Sequence, residues 1–282
     1  MFDYKFIKHN LNNSIFCKYF KERFSNFTFM HLYLYKDNIN IILDSDNTYI
    51  GFIWTSDFNL GVNVDALYLG DYEDYKLISY CMSIISFKGE NVFFCTDKEP
   101  NIYRNLRLMG FNEIKYVIDM EVSNFDIFNI PMYSIPRDIE IHPFRVHEDK
   151  LLRCRLQNEI FHDVNRIPVT IKDLNNETQS IYYLNDGGFF IKFKEEYIGY
   201  GQIIHDHTHY SIVNLGIIHE YRGNGYGKLL TIFLMEYCKL TYDDIKSLKL
   251  KVDGDNTIAK NMYESLGFLE YDNQIIWEFI NE

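Results

Sequence analysis

Residues 213–230 read Val213-Asn214-Leu215-Gly216-Ile217-Ile218-His219-Glu220-Tyr221-Arg222-Gly223-Asn224-Gly225-Tyr226-Gly227-Lys228-Leu229-Leu230. The apolar start predicts a strand over 210–218. Leu229, Leu230, Phe233, Leu234 and Tyr237 recur at helical spacing and predict a helix over 225–240. A glycine-rich turn joins the two. Glycines let the backbone come close to a ligand, and the first amides of a helix point outward without partners. The helix dipole turns that end into an anion site. Lys228 falls in the first turn, where a cation opposes the dipole unless a bound anion reverses the sign. Strand, glycine turn and helix together are the context of a phosphate-binding loop.

Outward from this stretch, the second half of the chain reads as alternating strands and helices. Strands fall at 138–143, 189–193, 197–205, 210–218 and 247–252, with helices at 148–161, 225–240 and 257–266. A Gly267-Phe268 break leads to a strand pair, 268–271 with 274–279. The first half repeats the order. Strands are expected at 49–54, 65–69, 91–95 and 113–122, and helices at 73–86 and 102–109, the second ending at Gly110-Phe111. The repeat shows best in residues 101–111 against 258–268. The stretch 123–136 has two prolines and no helical period. The expected domains are therefore 1–123 and 137–282, joined by a linker at 124–136.

Composition narrows the function. The chain of 282 residues is 47% apolar, enough for real cores. Its 40 acidic and 28 basic residues give a net charge of −12, which weighs against nucleic acid or an anionic membrane as partner. Acidity is spread over both halves, 17 against 12 in residues 1–136 and 23 against 16 in 137–282. No apolar run approaches the roughly 20 residues of a membrane span. The start shows no basic and apolar signal pattern, so the expectation is a cytoplasmic protein. Five cysteines, an odd number with no Cys-x-x-Cys, read as reduced thiols. With only two alanines, Ala66 and Ala259, the 23 Tyr and 23 Phe read as a coding bias rather than a binding platform.

Arg222, Gly225 and Gly227 fit the pattern Arg/Gln-x-x-Gly-x-Gly/Ala, so the segment resembles motif A of the GNAT acetyltransferase superfamily. Asn256, Ala259, Tyr263 and Gly267-Phe268 resemble its motif B. The whole chain resembles the tandem type, with a degenerate first half. The resemblance implies an α/β (α+β) fold of two tandem GNAT-like domains, each a mixed, mostly antiparallel sheet flanked by helices. It implies acetyl-CoA as co-substrate and no metal. The pyrophosphate would lie on the amides of Gly223, Asn224, Gly225, Tyr226, Gly227 and Lys228, beside Arg222. The pantetheine arm would pair with Leu215, Gly216 and Ile217, where the sheet is splayed.

Independently of any family, Asn256, Ala259, Lys260 and Tyr263 share one helix face. Tyr263 is the expected general acid toward a departing thiolate, and an amide near Ile217 the oxyanion donor. No carboxylate lies within 213–218; Glu159 and Asp163 are the candidate bases, with a water chain as the alternative. The acceptor is expected to be a small primary amine, which the net charge favours as a cation. Rival readings are transfer of a longer acyl or aminoacyl group, or a non-catalytic acyl-CoA sensor. His205, His207 and His209 alternate as zinc ligands would, yet they fall where two strands should turn. The first half has Leu106 opposite Tyr263, Glu99 opposite Asn256, and an acidic turn at residues 69–74 without Gly-x-Gly, so it is expected to be silent.

Overall fold

The computed structural model describes residues 5–8, 39–43, 49–58, 61–68, 82, 91–97, 100–162, 168–206 and 208–279. They divide into two compact units. The first comprises residues 1–116 with 274–282, and the second residues 117–273.

In the second unit, β7 (Ile139–Pro143), β8 (Tyr183–Phe193), β9 (Glu196–His205) and β10 (Tyr210–Ile217) run antiparallel in that order. Next comes β11 (Ser247–Asp253), parallel to β10, and then, antiparallel, the second part of β6 (Phe111–Ser123). The helices are α2 (Lys150–Ile160), α3 (Ile171–Glu177), α4 (Tyr226–Thr241) and α5 (Thr257–Glu264). Alternation in β6 buries Ile118, Met120 and Val122. Helix α4 buries Leu230, Thr231, Ile232, Leu234, Met235 and Cys238. The buried stripe is thus rotated from the expected one: Phe233 and Tyr237 lie on its flank, their rings edge-on to Phe189 at 5.0 and 4.6 Å. Helix α3 falls where apolar spacing alone predicts no element. Its signal is a cap rather than a stripe, since Thr170 and Asp173 form a reciprocal capping box.

In the first unit, β1 (Lys5–Lys8), β2 (Ile39–Leu43), β3 (Tyr49–Phe58) and β4 (Gly61–Tyr68) run antiparallel. Strand β5 (Asn91–Asp97) is parallel to β4, and the second part of β12 (Leu269–Phe279) pairs antiparallel with β5. Helix α1 (Pro100–Leu108) follows β5. The core joins Ile42, Ile53, Val92, Leu106, Phe111 and Trp277. The Trp277 indole N–H donates to Thr96 Oγ at 3.1 Å. The helix expected over 73–86 lies outside the described residues except for Met82, which is helical and fully buried.

Among the described residues each unit therefore orders its strands in the same way, antiparallel but for one parallel pair. The last strand of the first unit comes from the far end of the chain, whereas that of the second, the latter part of β6, is the first piece of that unit in sequence. Strand β6 follows α1 but passes into the second unit at Val117, and β12 follows α5 but passes into the first at Gln274. This corrects the expected hairpin over 268–279: β12 is one continuous strand, and Asp272-Asn273 lies within it.

The proline-bearing stretch after β6 is anchored on the second unit. Phe125 is fully buried and stacks on Phe128. Lys239 Nζ donates to the Phe128 carbonyl at 2.5 Å. Cys154 and Cys238 are free and buried, and desolvation raises both thiols above their usual range. Among the described residues no helix is long and apolar enough to cross a membrane.

Candidate functional site

The site begins where two strands part. The parallel register of β10 and β11 covers Tyr210, Ser211 and Ile212, the last opposite Leu250, and goes no further among the described residues. There β10 bulges: Val213 faces Gln202 and Gly216 faces Tyr200, so Asn214 and Leu215 stand against Gly201 alone. Asn214 takes the left-handed conformation, φ 54°, which Asn tolerates better than most residues. Gly216 is fixed by close approach, because a Cβ there would meet Ile160 Cγ2 of α2 at 2.2 Å. The Ile218 N–H donates to the Ile198 carbonyl. Backbone donors alternate sides along a strand, so the Ile217 N–H points the other way, toward the edge that β11 leaves.

Beyond Ile218 a single 3-10 turn (His219–Tyr221) leads into the glycine segment. Gly223 and Gly225 have φ of 80° and 82°, and nothing lies within 4 Å of a Cβ built on either. They are required by backbone conformation, and the space they face is open. Gly225 is the N-cap of α4, and no side chain caps that helix. The Asn224 side chain donates to the carbonyls of Tyr221 and Arg222, both at 3.2 Å, holding the turn together. Arg222 is engaged within the fold, where its guanidinium donates to the carbonyls of Ile217 at 2.8 Å and Ile160 at 2.6 Å. It ties the end of β10 to the end of α2. Lys228 reaches the Ser265 hydroxyl at 3.0 Å. An open turn thus leads into uncapped amides, which suits an oxygen-rich anion.

Helix α5 flanks the turn, with Met262 Sδ 3.7 Å from a Cβ built on Gly227. Asn256 caps α5, its side chain accepting from the Ala259 N–H at 3.1 Å. Lys260 pairs with Glu270 at 3.0 Å. Tyr263 is buried edge-on against Phe268, and desolvation pushes its hydroxyl up to about 12. Glu159 lines an open cavity of about 570 Å³ with Arg155, Tyr197, Ile218 and Tyr221. Asp163 and His207 lie outside the described residues. The other histidines belong to a turn: His209 pairs with Asp206 at 2.9 Å, and the His205 ring stacks on Tyr210.

Sequence reading missed a buried polar chain on the α2 side. Arg153 is fully buried and pairs with both Glu177 oxygens at 2.8 and 2.6 Å. Its guanidinium carbon lies 4.9 Å from the Tyr200 ring centre. Tyr200 and Asn214 both donate to Gln202 Oε1, each at 3.4 Å. The available signal was Gln202 itself, a lone amide in the apolar run 198–204.

The sheet order, the opening after Ile212 and the glycine turn define a GNAT-type α/β fold. Residues 156–268 match the model of the Acetyltransferase (GNAT) family. A GCN5-related N-acetyltransferase from Sphaerobacter thermophilus shares the fold over 98% of this chain and 95% of its own, with a TM-score of 0.67 at 13% identity. So does a tandem GNAT protein from the clavulanic acid biosynthesis pathway, over 98% of each chain, with a TM-score of 0.61 at 11% identity. The family match falls wholly within the second unit, and over the rest of the chain the likeness is one of fold. A mycothiol acetyltransferase from Acidothermus cellulolyticus is 27% identical over 61% of this chain and 57% of its own length. The chain thus spans little more than half the length of such curated relatives.

Proposed function

We propose that the second unit transfers an acetyl group from acetyl-CoA to a primary amine of a small molecule. The observation that carries this reading is the strand opened at a bulge and continued by an open, left-handed glycine turn into an uncapped helix. The amides of residues 223–228 would hold the pyrophosphate, and the free edge at Leu215–Ile217 the pantetheine arm. Acetyl-CoA supplies a thioester carbonyl open to attack by an amine, with the thiolate as leaving group. The Ile217 N–H donates to the carbonyl oxygen as negative charge develops on it. Tyr263 stays protonated at neutral pH and is the proposed acid toward the departing sulfur. A hydroxyl near 12 facing a thiol near ~8.5 makes complete transfer uphill, so its main contribution is a hydrogen bond to the nascent thiolate. The amine must lose a proton before attack. Glu159 and bound water are the available routes for that proton.

The relatives named mycothiol acetyltransferase support a small-molecule acceptor. A net charge of −12 favours a cationic one. The first unit is silent in this reading: its counterpart of Tyr263 is Leu106, buried in the core and without a hydroxyl. A screen of primary amines with acetyl-CoA, read by release of free thiol, tests the proposal. Turnover with a polyamine, aminoglycoside or amino sugar is expected. Binding of acetyl-CoA without thiol release across the whole panel would reduce the protein to a sensor.

A further inference from the structure

We infer that Gln202 is a positioning residue for the acyl carbonyl, acting through the bulge at Asn214; the inference rests on the acetyl-CoA reading above. Gln202 is fully buried in the middle of β9, directly opposite Val213, the residue at which the bulge begins. Its carbonyl oxygen receives both Tyr200 and Asn214 at 3.4 Å, while its Nε2 has no hydrogen-bond partner among the described residues. A buried amide with an idle donor costs stability, and an apolar side chain of the same shape would avoid that cost. Rules of core packing are broken in this way chiefly where a function depends on the group.

What Gln202 holds shows the use to which the amide is put. Asn214 has φ 54°, and its side-chain amide reaches Gln202 alone among the described residues. Asn214 is the residue that changes which way the following backbone donors face. If it relaxed to an extended conformation, β10 would regain regular pairing with β9. The donors at Leu215 and Ile217 would then turn away from the open edge. Glu177, Arg153 and Tyr200 hold Gln202 from the far side through an ion pair from one guanidinium nitrogen and a guanidinium over a ring. Gln202 is therefore fixed on α2 and α3 and sets the bulge. It touches no reacting atom.

Gln202→Met keeps the volume and removes the amide. Three readouts separate positioning from packing. Titration calorimetry with acetyl-CoA should give an affinity within about twofold of wild type. The Tm should fall by a few degrees at most, because loss of the acceptor for Tyr200 and Asn214 is partly offset by removal of the idle Nε2 donor. Isotope-edited infrared of bound [1-13C]acetyl-CoA should show a lowered carbonyl stretch in wild type and loss of that lowering in the variant. Where an acceptor is known, kcat should fall about 10–10² fold. Asn214→Gly should keep the carbonyl shift, since glycine takes this φ unaided, and Asn214→Ala should lose it. That pair decides the matter if Gln202→Met does not fold. An unchanged carbonyl stretch in Gln202→Met or in Asn214→Ala overturns the inference while leaving acetyl-CoA binding intact. Failure of wild type to bind acetyl-CoA would instead sink the functional reading beneath it.

Discussion

The two units open their sheets in the same way and differ in what stands at the opening. In the first, the parallel register of β4 and β5 stops at Val64 opposite Phe94. One extra residue, Asp65, then stands between Ala66 opposite Trp54 and Val64 opposite Thr55. In the second, the register stops at Ile212 and the bulge follows at once. Both units carry a Gly-Phe break after the next helix, with Gly110 and Gly267 at the same φ of 92°. The backbone device is thus present twice. The groups proposed to carry the chemistry are not: Leu106 stands opposite Tyr263, and residues 69–74 read Leu-Gly-Asp-Tyr-Glu-Asp where residues 222–227 read Arg-Gly-Asn-Gly-Tyr-Gly. A fold can retain its opening after the side chains that use it are gone, so fold and site must be argued separately.

The comparison breaks most visibly at the glycine turn. Gly225→Glu sets a β-carbon at φ 82° and a carboxylate against the uncapped amides. Calorimetry should then find no acetyl-CoA binding where wild type binds one equivalent per chain. Two equivalents in wild type, or binding retained in the variant, would give the first unit a site of its own.

Next in size is Tyr263→Phe, which makes the second unit resemble the first while keeping the ring against Phe268. A rate loss of about 10²–10⁴ is expected at saturating substrates, with affinity for acetyl-CoA unchanged. A kcat within twofold of wild type would make Tyr263 a packing residue, as Leu106 is.

Trp277→Ala probes the first unit from the other end of the chain. Removing a fully buried Trp costs about 3–5 kcal/mol. Amide exchange in 91–97 should therefore accelerate, and unchanged protection there would contradict the pairing of β12 with β5.

The smallest effect is alkaline. The Tyr263 hydroxyl titrates near 10 when unfolded and about 12 when folded, because burial disfavours its anion. The folded value is the raised one, so its contribution is whole below pH 10 and is lost as pH rises from 10 to 12. Tyr263→Phe should flatten that limb of the stability profile by up to about 2–3 kcal/mol. A limb of unchanged steepness would show that the hydroxyl is not buried.

The repeat of elements, the turn and the Gly-Phe breaks were legible because each is a local pattern of apolar spacing and glycine. Three features were not. The partner choice of β6 and β12 is non-local: Ile118, Met120 and Val122 alternate equally well whichever sheet receives them. Large apolar residues alone define the expected stripe on α4, which omits Thr231, a buried residue whose hydroxyl is satisfied by the Gly227 carbonyl. The left-handed turn at Asn214 depends on Gln202, twelve residues away, and no spacing rule couples them.

The crossing of β6 and β12 between units also sets an order of events during synthesis on the ribosome. Every strand of the second unit is made by residue 273, whereas the first unit lacks its sixth strand until 274–279 emerge. From Asp97 to Gln274 is 177 residues, or about 10–35 s at the usual ~5–20 residues per second. Through that interval β5 is an open edge, the kind of surface on which nascent chains join one another. The half of the protein translated first is the last to be completed. A nascent chain stalled before residue 274 should therefore be held by chaperones through 91–97, and one released past residue 279 should not.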